Sequence, residues 1–443
     1  DWQAPLPHQG QVTSLAQWWQ QQGDPLLVEL IVAAQGVSPS LAQALAHMET
    51  ARANQATARG ALLPSLNAQA SASRGVSQPE TPVATTVQAG LQASWELDLV
   101  GANRAVSKAA QAQLEASQAQ WHDARVSVAA EVANLYHSLH TCTLQLAVTQ
   151  SDAESRQKTA HLTEISANAG FVAPSVAAMA RASAAQANSQ LTQQRAQCEI
   201  DVKGLVALTA LSEQAIKQKM ALAQVKQGRE ATLSIASVPA QTISQRPDVF
   251  AAERDVVLAS AQVGSAKAQR LPRLSLNGSI GALRVSTGMG DTSVSTWSLG
   301  PLALSLPLYD AGQGAARVDA AYASYQSAVM AYQGKVRHAV REVEEALVKL
   351  HSTESRLRDA LVSTQGFSES LAATQSRFDH GLASLMELED ARRSALAAQS
   401  GLLGLQLERQ LLWVSLYRAL GGGFEPDQVA ALAATAADTA RAR

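Results

Sequence analysis

Apolar positions along this chain change period in a fixed order, and the order occurs twice. After Gly312 the positions Val318, Tyr322, Tyr325, Val329, Tyr332, Val336, Ala339, Val343, Ala346 and Leu350 alternate steps of four and three, and no Pro interrupts them to about Phe378. That is the heptad of a helix burying one seam against a neighbour. The run 312–378 predicts a helix of roughly 100 Å at about 1.5 Å per residue, about three times the hydrocarbon core of a bilayer, so it stands in water. Just after Leu271-Pro272 the period drops to two, as in Leu274, Leu276, Gly278 and Ile280, and Leu91, Ala93, Trp95 and Leu97 do the same. Strands are predicted near 62–75, 85–98, 271–286 and 295–309, each long enough for a tilted transmembrane strand of roughly 9–11 residues. Four such strands cannot close a barrel. Open edges in hydrocarbon leave backbone donors and acceptors unpaired, so a membrane role requires several chains to share one barrel. The alternation also fits two soluble hairpins capping a coiled coil.

The same unit is written in both halves. Leu63-Pro64-Ser65-Leu66 recurs as Leu271-Pro272-Arg273-Leu274, Asp98 with Gly101 as Asp310 with Gly312, and Ala169-Gly170-Phe171 as His380-Gly381-Leu382. Each copy reads helix, Leu-Pro entry, two strands, Asp/Gly turn, very long helix, Gly turn, long helix. The predicted division is an N-terminal segment 1–24, a first repeat 25–213 with its helical hairpin near 103–213 turning at Gly170, a linker 214–242, a second repeat 243–423 with its hairpin near 312–420 turning at Gly381, and a tail 424–443. The segments outside the repeats are less periodic and are expected to form a belt around the waist, with loose ends.

Composition sharpens this picture. Charged residues make up 16% of the chain and aromatics 4%, against 47% hydrophobic, which suits small side chains buried along extended seams. A net charge of -2 gives no electrostatic case for nucleic acid, and the nine His are scattered without metal-ligand spacing. No apolar run reaches the roughly 18–20 residues of a membrane-spanning helix. Asp1, with no basic-then-apolar leader behind it, is consistent with the mature end of an exported chain. Gly288-Met289-Gly290 and Gly421-Gly422-Gly423 lack the strand-to-helix context of a phosphate loop, Glu344-Glu345 lies on a charged face, and the six Met are not clustered. No nucleophile with a base, metal cluster or cofactor site is predicted, so no enzyme is expected.

Trp18-Trp19 with Asp24-Pro25-Leu26, Trp95-Glu96-Leu97-Asp98-Leu99 before Gly101, Arg246-Pro247-Asp248, and Tyr417-Arg418-Ala419-Leu420-Gly421-Gly422-Gly423 resemble the TolC-like outer-membrane factors, and within them the OprM/NodT branch. The resemblance covers nearly the whole chain in order. It implies a mainly α fold with a β-barrel part: a homotrimer whose four strands per protomer make a twelve-stranded barrel in outer-membrane lipid, continued by an α-helical coiled-coil tunnel through the periplasm. It also implies docking to a periplasmic adaptor (membrane fusion protein) and an inner-membrane pump, as the passive exit duct of an efflux system. A type I protein secretion duct would look alike, and a soluble periplasmic coiled-coil scaffold is the alternative of another class. Many members of the branch begin at a lipidated Cys, whereas the two Cys here are Cys142 and Cys198.

The resemblance places a pore-closing segment at Gly381-Leu382-Ala383-Ser384-Leu385-Met386-Glu387-Leu388-Glu389-Asp390-Ala391-Arg392-Arg393, with Met386 at an apolar constriction and Asp390 at an acidic one. Four residues apart, the two share a helix face, so three-fold symmetry makes a ring of each. Arg393, three residues on, pairs with Asp390 or a neighbouring chain as a latch; an ordinary solvated pair is the other reading. Glu387 and Glu389 are counted with this constriction. The turns, Gly170 with Phe171 and Gly381 with Leu382, are expected to meet the adaptor. Cys142 and Cys198 lie equally far from Gly170 on facing helices, which predicts a disulfide in an oxidising compartment, two buried thiols being the alternative.

Overall fold

The computed structural model describes residues 18–21, 23–76, 83–222, 246–288 and 290–424. Its elements are α1 (Trp18–Gln21), α2 (Pro25–Val37), α3 (Pro39–Gly60), β1 (Ser65–Gly75), β2 (Ala84–Leu97), α4 (Ala102–Asn168), α5 (Pro174–Thr209), α6 (Glu213–Leu222), α7 (Pro247–Ala268), β3 (Arg273–Thr287), β4 (Gly290–Ser305), α8 (Gln313–Asp379) and α9 (Leu385–Ala419). The chain divides into two compact units, each drawing on both copies. One holds the four strands with the adjoining ends of the long helices, within Ala44–Trp121 and Asp248–Val336; the other holds the helical hairpins, within His122–Pro247 and Arg337–Glu425, with the described residues up to Gln43. Most of the expected belt, 1–17, 223–245 and 425–443, lies outside the described residues.

The long helices start and stop where small local signals say so. Asp98 accepts from the backbone N–H of Asn103 (3.2 Å) and Arg104 (2.9 Å), and Asp310 accepts from those of Gly312 (3.0 Å) and Gly314 (2.6 Å). The repeated Asp/Gly pair is thus a helix cap that satisfies orphan donors at the head of each 67-residue helix. Burial pushes the Asp98 carboxyl up, but the Arg104 and Asn103 N–H groups and the Arg104 guanidinium bring it below its ordinary value. At the far end Gly170 (φ +81°) and Gly381 (φ +74°) take the left-handed conformation. Phe171 N–H then reaches Ser166 O at 2.9 Å and Leu382 N–H reaches Arg377 O at 2.7 Å, the same C-terminal cap in both copies.

Three boundaries differ from expectation. The first copy's leading helix is two helices, bent by 53° before Pro39, which cannot donate to the turn preceding it. Part of the predicted linker is helix: Ser212 Oγ accepts from Ala215 N–H at 3.2 Å and starts α6. β4 runs Gly290–Ser305, not 295–309. Its polar start pairs along β3 and is tied by Arg284 to Asp291 at 2.5 Å, while Leu306-Pro307 ends it because Pro has no N–H for the ladder.

The sheet is antiparallel throughout in the order β1-β2-β3-β4, so the two copies join directly through β2 and β3. Register puts Leu66 opposite Ala93, Ala93 opposite Gly278, Leu91 opposite Ile280 and Ile280 opposite Trp297, all on one apolar face. A register shift beside Gly300-Pro301 sets Leu299 opposite Gly278 but Leu302 opposite Leu276. Without that bulge Leu302 and Leu304 would turn to the other face, because side chains alternate with a period of two. Ser, Gln and Asn make up much of the opposite face, with Ser65 to Ser94 at 2.9 Å and Ser279 to Ser298 at 2.8 Å, while Leu283 stands opposite Val294 on it. Gly90 and Gly281 face each other where the copies meet. A Cβ on either would come within 2.9 Å of the partner strand's carbonyl oxygen, so both positions require Gly.

Cys142 on α4 and Cys198 on α5 are joined by a disulfide, with Cα atoms 5.6 Å apart. Both are buried in the seam with Leu139, Val202 and Leu205. Ellman titration of the denatured protein is expected to find no thiol before reduction and two after it. The Cys142→Ser/Cys198→Ser protein should melt a few degrees lower, since the unfolded chain loses a loop constraint while the helical seam remains. Two thiols titrating without reductant would exclude the bond.

Candidate functional site

The segments that carried the resemblance do different work from one another. Trp18 stacks on Tyr417 (ring centroids 4.8 Å, interplanar 16°), and Trp19 meets the same ring edge-on. Asp24 caps α2, accepting from Leu26 and Leu27 N–H at 3.1 and 3.2 Å and from the Tyr136 hydroxyl at 2.5 Å. Arg246 donates to Ala419 O at 2.8 Å, closing the C-terminal end of α9, and to Glu342 at 2.7 Å. Gly422, at φ +60°, leaves no room for a Cβ, which would fall 2.3 Å from a Val126 methyl. These motifs pin the first helices and the end of α9 onto α4; they are structural.

The candidate site sits where the two hairpins turn. Ser384 caps α9 in a reciprocal box: its Oγ accepts from Glu387 N–H at 3.2 Å while Glu387 Oε2 accepts from Ser384 N–H at 2.6 Å. Those bonds from Ser384 hold the Glu387 carboxyl below its ordinary value, and the Arg377 guanidinium adds to them. Glu387 is therefore a capping residue of α9.

Glu389 has a different setting. It is 8% exposed and lies inside a polar network built by all four long helices. It accepts from Arg156 on α4, from Ser183 on α5 at 2.7 Å, and from Arg392 on its own helix at 3.1 Å. Arg156 also pairs with Asp152 at 2.8 Å. Arg392, 3% exposed, shares its Nη2 among Ser155, Thr159 and Gln375, each at 2.9 Å. Burial lowers the Arg392 guanidinium below its ordinary value, with Glu389 pulling the other way. Ala160, Ala180 and Leu385 seal the network from the turns, with Val176, Ala184 and Phe378 packed against them. Sequence reasoning missed Arg392, although a signal was there. It follows Leu385 and Leu388 at helical spacing and precedes Ala395, so it is a charge in the apolar stripe, and such a charge needs partners.

Met386, Asp390 and Arg393 remain on the outer side of the same turns. Met386 is 64% exposed, and Arg393 approaches Asp390 at 3.4 Å with both side chains largely exposed. They border an open groove of ≈ 430 Å³ between α5 and α9 with Met179, Ser183 and Leu396. At the turns themselves Phe171 (84%) and Leu382 (69%) project into solvent. Among the described residues no group of His, Cys, Asp and Glu is arranged to hold a metal ion.

Comparison with known proteins places this architecture. A family model described as Outer membrane efflux protein matches residues 30–211 and again 238–422. Outer membrane protein OprJ of Pseudomonas aeruginosa is 31% identical over 436 residues, covering 95% of this chain and 89% of its own length. Nodulation protein T of Rhizobium leguminosarum bv. trifolii is 28% identical, covering 94% and 90%. Among solved structures, the CmeC outer membrane channel of Campylobacter jejuni superposes with a TM-score of 0.86 at 25% identity, covering 96% of this chain and 92% of that one. VceC of Vibrio cholerae does so at 0.79 and 26%, covering 93% and 99%. Among the described residues no single helix is long and apolar enough to cross a membrane. These likenesses set the soluble scaffold aside. With both of its copies matched and nearly its whole length covered, the chain belongs to the outer membrane efflux protein family, an efflux channel of the bacterial outer membrane that extends into the periplasm.

Proposed function

We propose that three copies of this chain form one passive exit duct, in which twelve strands close a barrel, the hairpins line a periplasmic tunnel, and Met386, Asp390 and Arg393 ring its narrow end. The observation that carries this reading is the sheet itself: four strands with one apolar face and two unpaired edges, β1 and β4. Such a sheet satisfies its backbone in lipid when β4 of one copy pairs with β1 of the next. Energy comes from an inner-membrane pump through a periplasmic adaptor, and the exposed Phe171 and Leu382 are the apolar points at which the adaptor engages the turns. Small-molecule efflux is the leading cargo class; the related Solvent efflux pump outer membrane protein SrpC of Pseudomonas putida, 28% identical, supports it.

Single-channel recording in planar bilayers tests the duct and its constriction together. Wild-type protein is expected to give small, flickering conductance, and Asp390→Ala or Arg393→Ala to raise it several-fold, because each removes one partner of the exposed pair at the turn. Variant conductance equal to wild type would remove these residues from the constriction, and folded oligomers without any channel activity would remove the duct.

A further inference from the structure

Resting on the outer-membrane placement, the geometry points to a second site, on the lipid side of the sheet, that takes the phosphate of an outer-leaflet lipid headgroup. The apolar face fixes the depth scale. From Val87 to Leu97 along β2 the outward positions are Val87, Ala89, Leu91, Ala93, Trp95 and Leu97, about 33 Å of strand at roughly 3.3 Å per residue. At a tilt of about 40° this is about 25 Å of membrane depth, the height of the apolar band on outer-membrane barrels. The Leu97 end joins the helices that run into the periplasm, so the Val87 end lies at the outer leaflet.

Two arginines stand on this lipid face just at that outer limit. Arg284 is the register partner of Val87, and Arg74 is the partner of Thr85, one position nearer the outside. Directly opposed residues of an antiparallel pair point to the same face, so neither guanidinium enters the lumen. The next row outward reads Arg74, Thr85, Ser286, Asp291 across the sheet. Arg284 donates to Asp291 at 2.5 Å, and Asp291 also accepts from Ser286. Arg74 is exposed and forms no ion pair among the described residues. Among the described residues each protomer therefore presents two guanidiniums against one carboxylate, flanked by two hydroxyls, where hydrocarbon gives way to headgroups.

A bare cation beside hydrocarbon is costly, and the costs fall when a phosphate supplies the counter-charge. Arg74 is the open half of the site, with room for a bidentate phosphate contact. Arg284, held in place by Asp291, is the second donor, and Thr85 and Ser286 bridge the two strands between them. At the periplasmic end the cation Arg273 falls on the opposite, polar face, so the arrangement is confined to one leaflet.

Native mass spectrometry of the purified protein with diphosphoryl lipid A and with its dephosphorylated form tests the site. Wild type is expected to retain the diphosphoryl lipid and to release the dephosphorylated one. Arg74→Gln and Arg284→Gln should each weaken retention about tenfold, the loss of one charge-assisted contact, while Arg74→Lys keeps most of it and Arg273→Gln changes nothing. Equal retention of the two lipids by wild type, which needs no variant to fold, or unchanged retention by Arg74→Gln, overturns the inference. Protein that conducts in bilayers but fails this assay loses the lipid site alone; protein that never inserts loses the duct.

Discussion

Glu389→Ala is expected to destabilise the turn region by about 3–5 kcal/mol, the size observed when one member of a buried ion pair is removed and its partner stays. The reason lies in what is left behind. Arg392 has a side chain 3% exposed and Arg156 one 13% exposed, and without Glu389 the first has hydroxyl and amide partners but no anion. Asp152 keeps Arg156 partly neutralised, which sets the expected cost below that of two orphaned cations. The loss should be local, because the seams above the turns continue through Ala153, Ala187 and Leu191. Hydrogen exchange should therefore accelerate in the last turns of α4 and α8 and the first turns of α5 and α9, with little change near Trp413. Replacing the pair together, Glu389→Leu with Arg392→Met while Arg156 keeps Asp152, should recover most of the loss, since no charge is then buried unpaired. If the double variant exchanges as fast as Glu389→Ala, the network is not what holds the four helices together. If conductance also rises in Glu389→Ala, the network and the exposed Asp390–Arg393 pair act on the same turn from opposite sides of α9.

Much of this architecture was legible in the sequence because it rests on period and on short-range geometry. The heptad from Val318 to Leu350 marked α8, and the alternation from Leu91 to Leu97 placed the outward face of β2. The paired Asp98/Gly101 and Asp310/Gly312 turns marked the helix heads, and Gly170 and Gly381 the helix ends. Each of these is decided within a few residues of itself, so a linear reading reaches it. What escaped depends on separations the chain does not display. Glu389 reads in the sequence as one more carboxylate of the constriction, and its burial follows from Arg156 and Ser183, 233 and 206 residues away. The bend before Pro39 and the start of α6 were hidden by weak periodicity in short helices. The early start of β4 escaped for a different reason: Asp291-Thr292-Ser293 reads as a loop until Arg284, Val285 and Ser286 are set opposite it.

Acid should weaken the packing of the first helices on α4, and His137 is the group expected to report it. Its Nε2 is buried with no hydrogen-bond partner, its ring lies 5.5 Å from that of Tyr136, and burial pushes it down to about 4. Asp24, which caps α2 and accepts from Tyr136, pulls the other way, and the neighbouring His140, itself lowered by burial, adds to the fall. The folded chain thus holds His137 neutral down to about pH 4, whereas the unfolded chain protonates it near its ordinary value of about 6.5. Between those values the unfolded state binds more protons, so stability rises with pH across this window and is lost as pH falls through it. At about 1.4 kcal/mol per unit the full window is worth roughly 3 kcal/mol. His137→Gln removes the titrating group while keeping a polar side chain of similar reach. Thermal unfolding followed by circular dichroism should show wild type losing its margin steeply from pH 7 to pH 4.5, and the variant losing less by about 2 kcal/mol, with His122 and His140, both lowered by burial, carrying the remainder. Parallel curves for the two proteins would mean that His137 does not titrate in this window, and that the acid sensitivity of the region comes from elsewhere on α4.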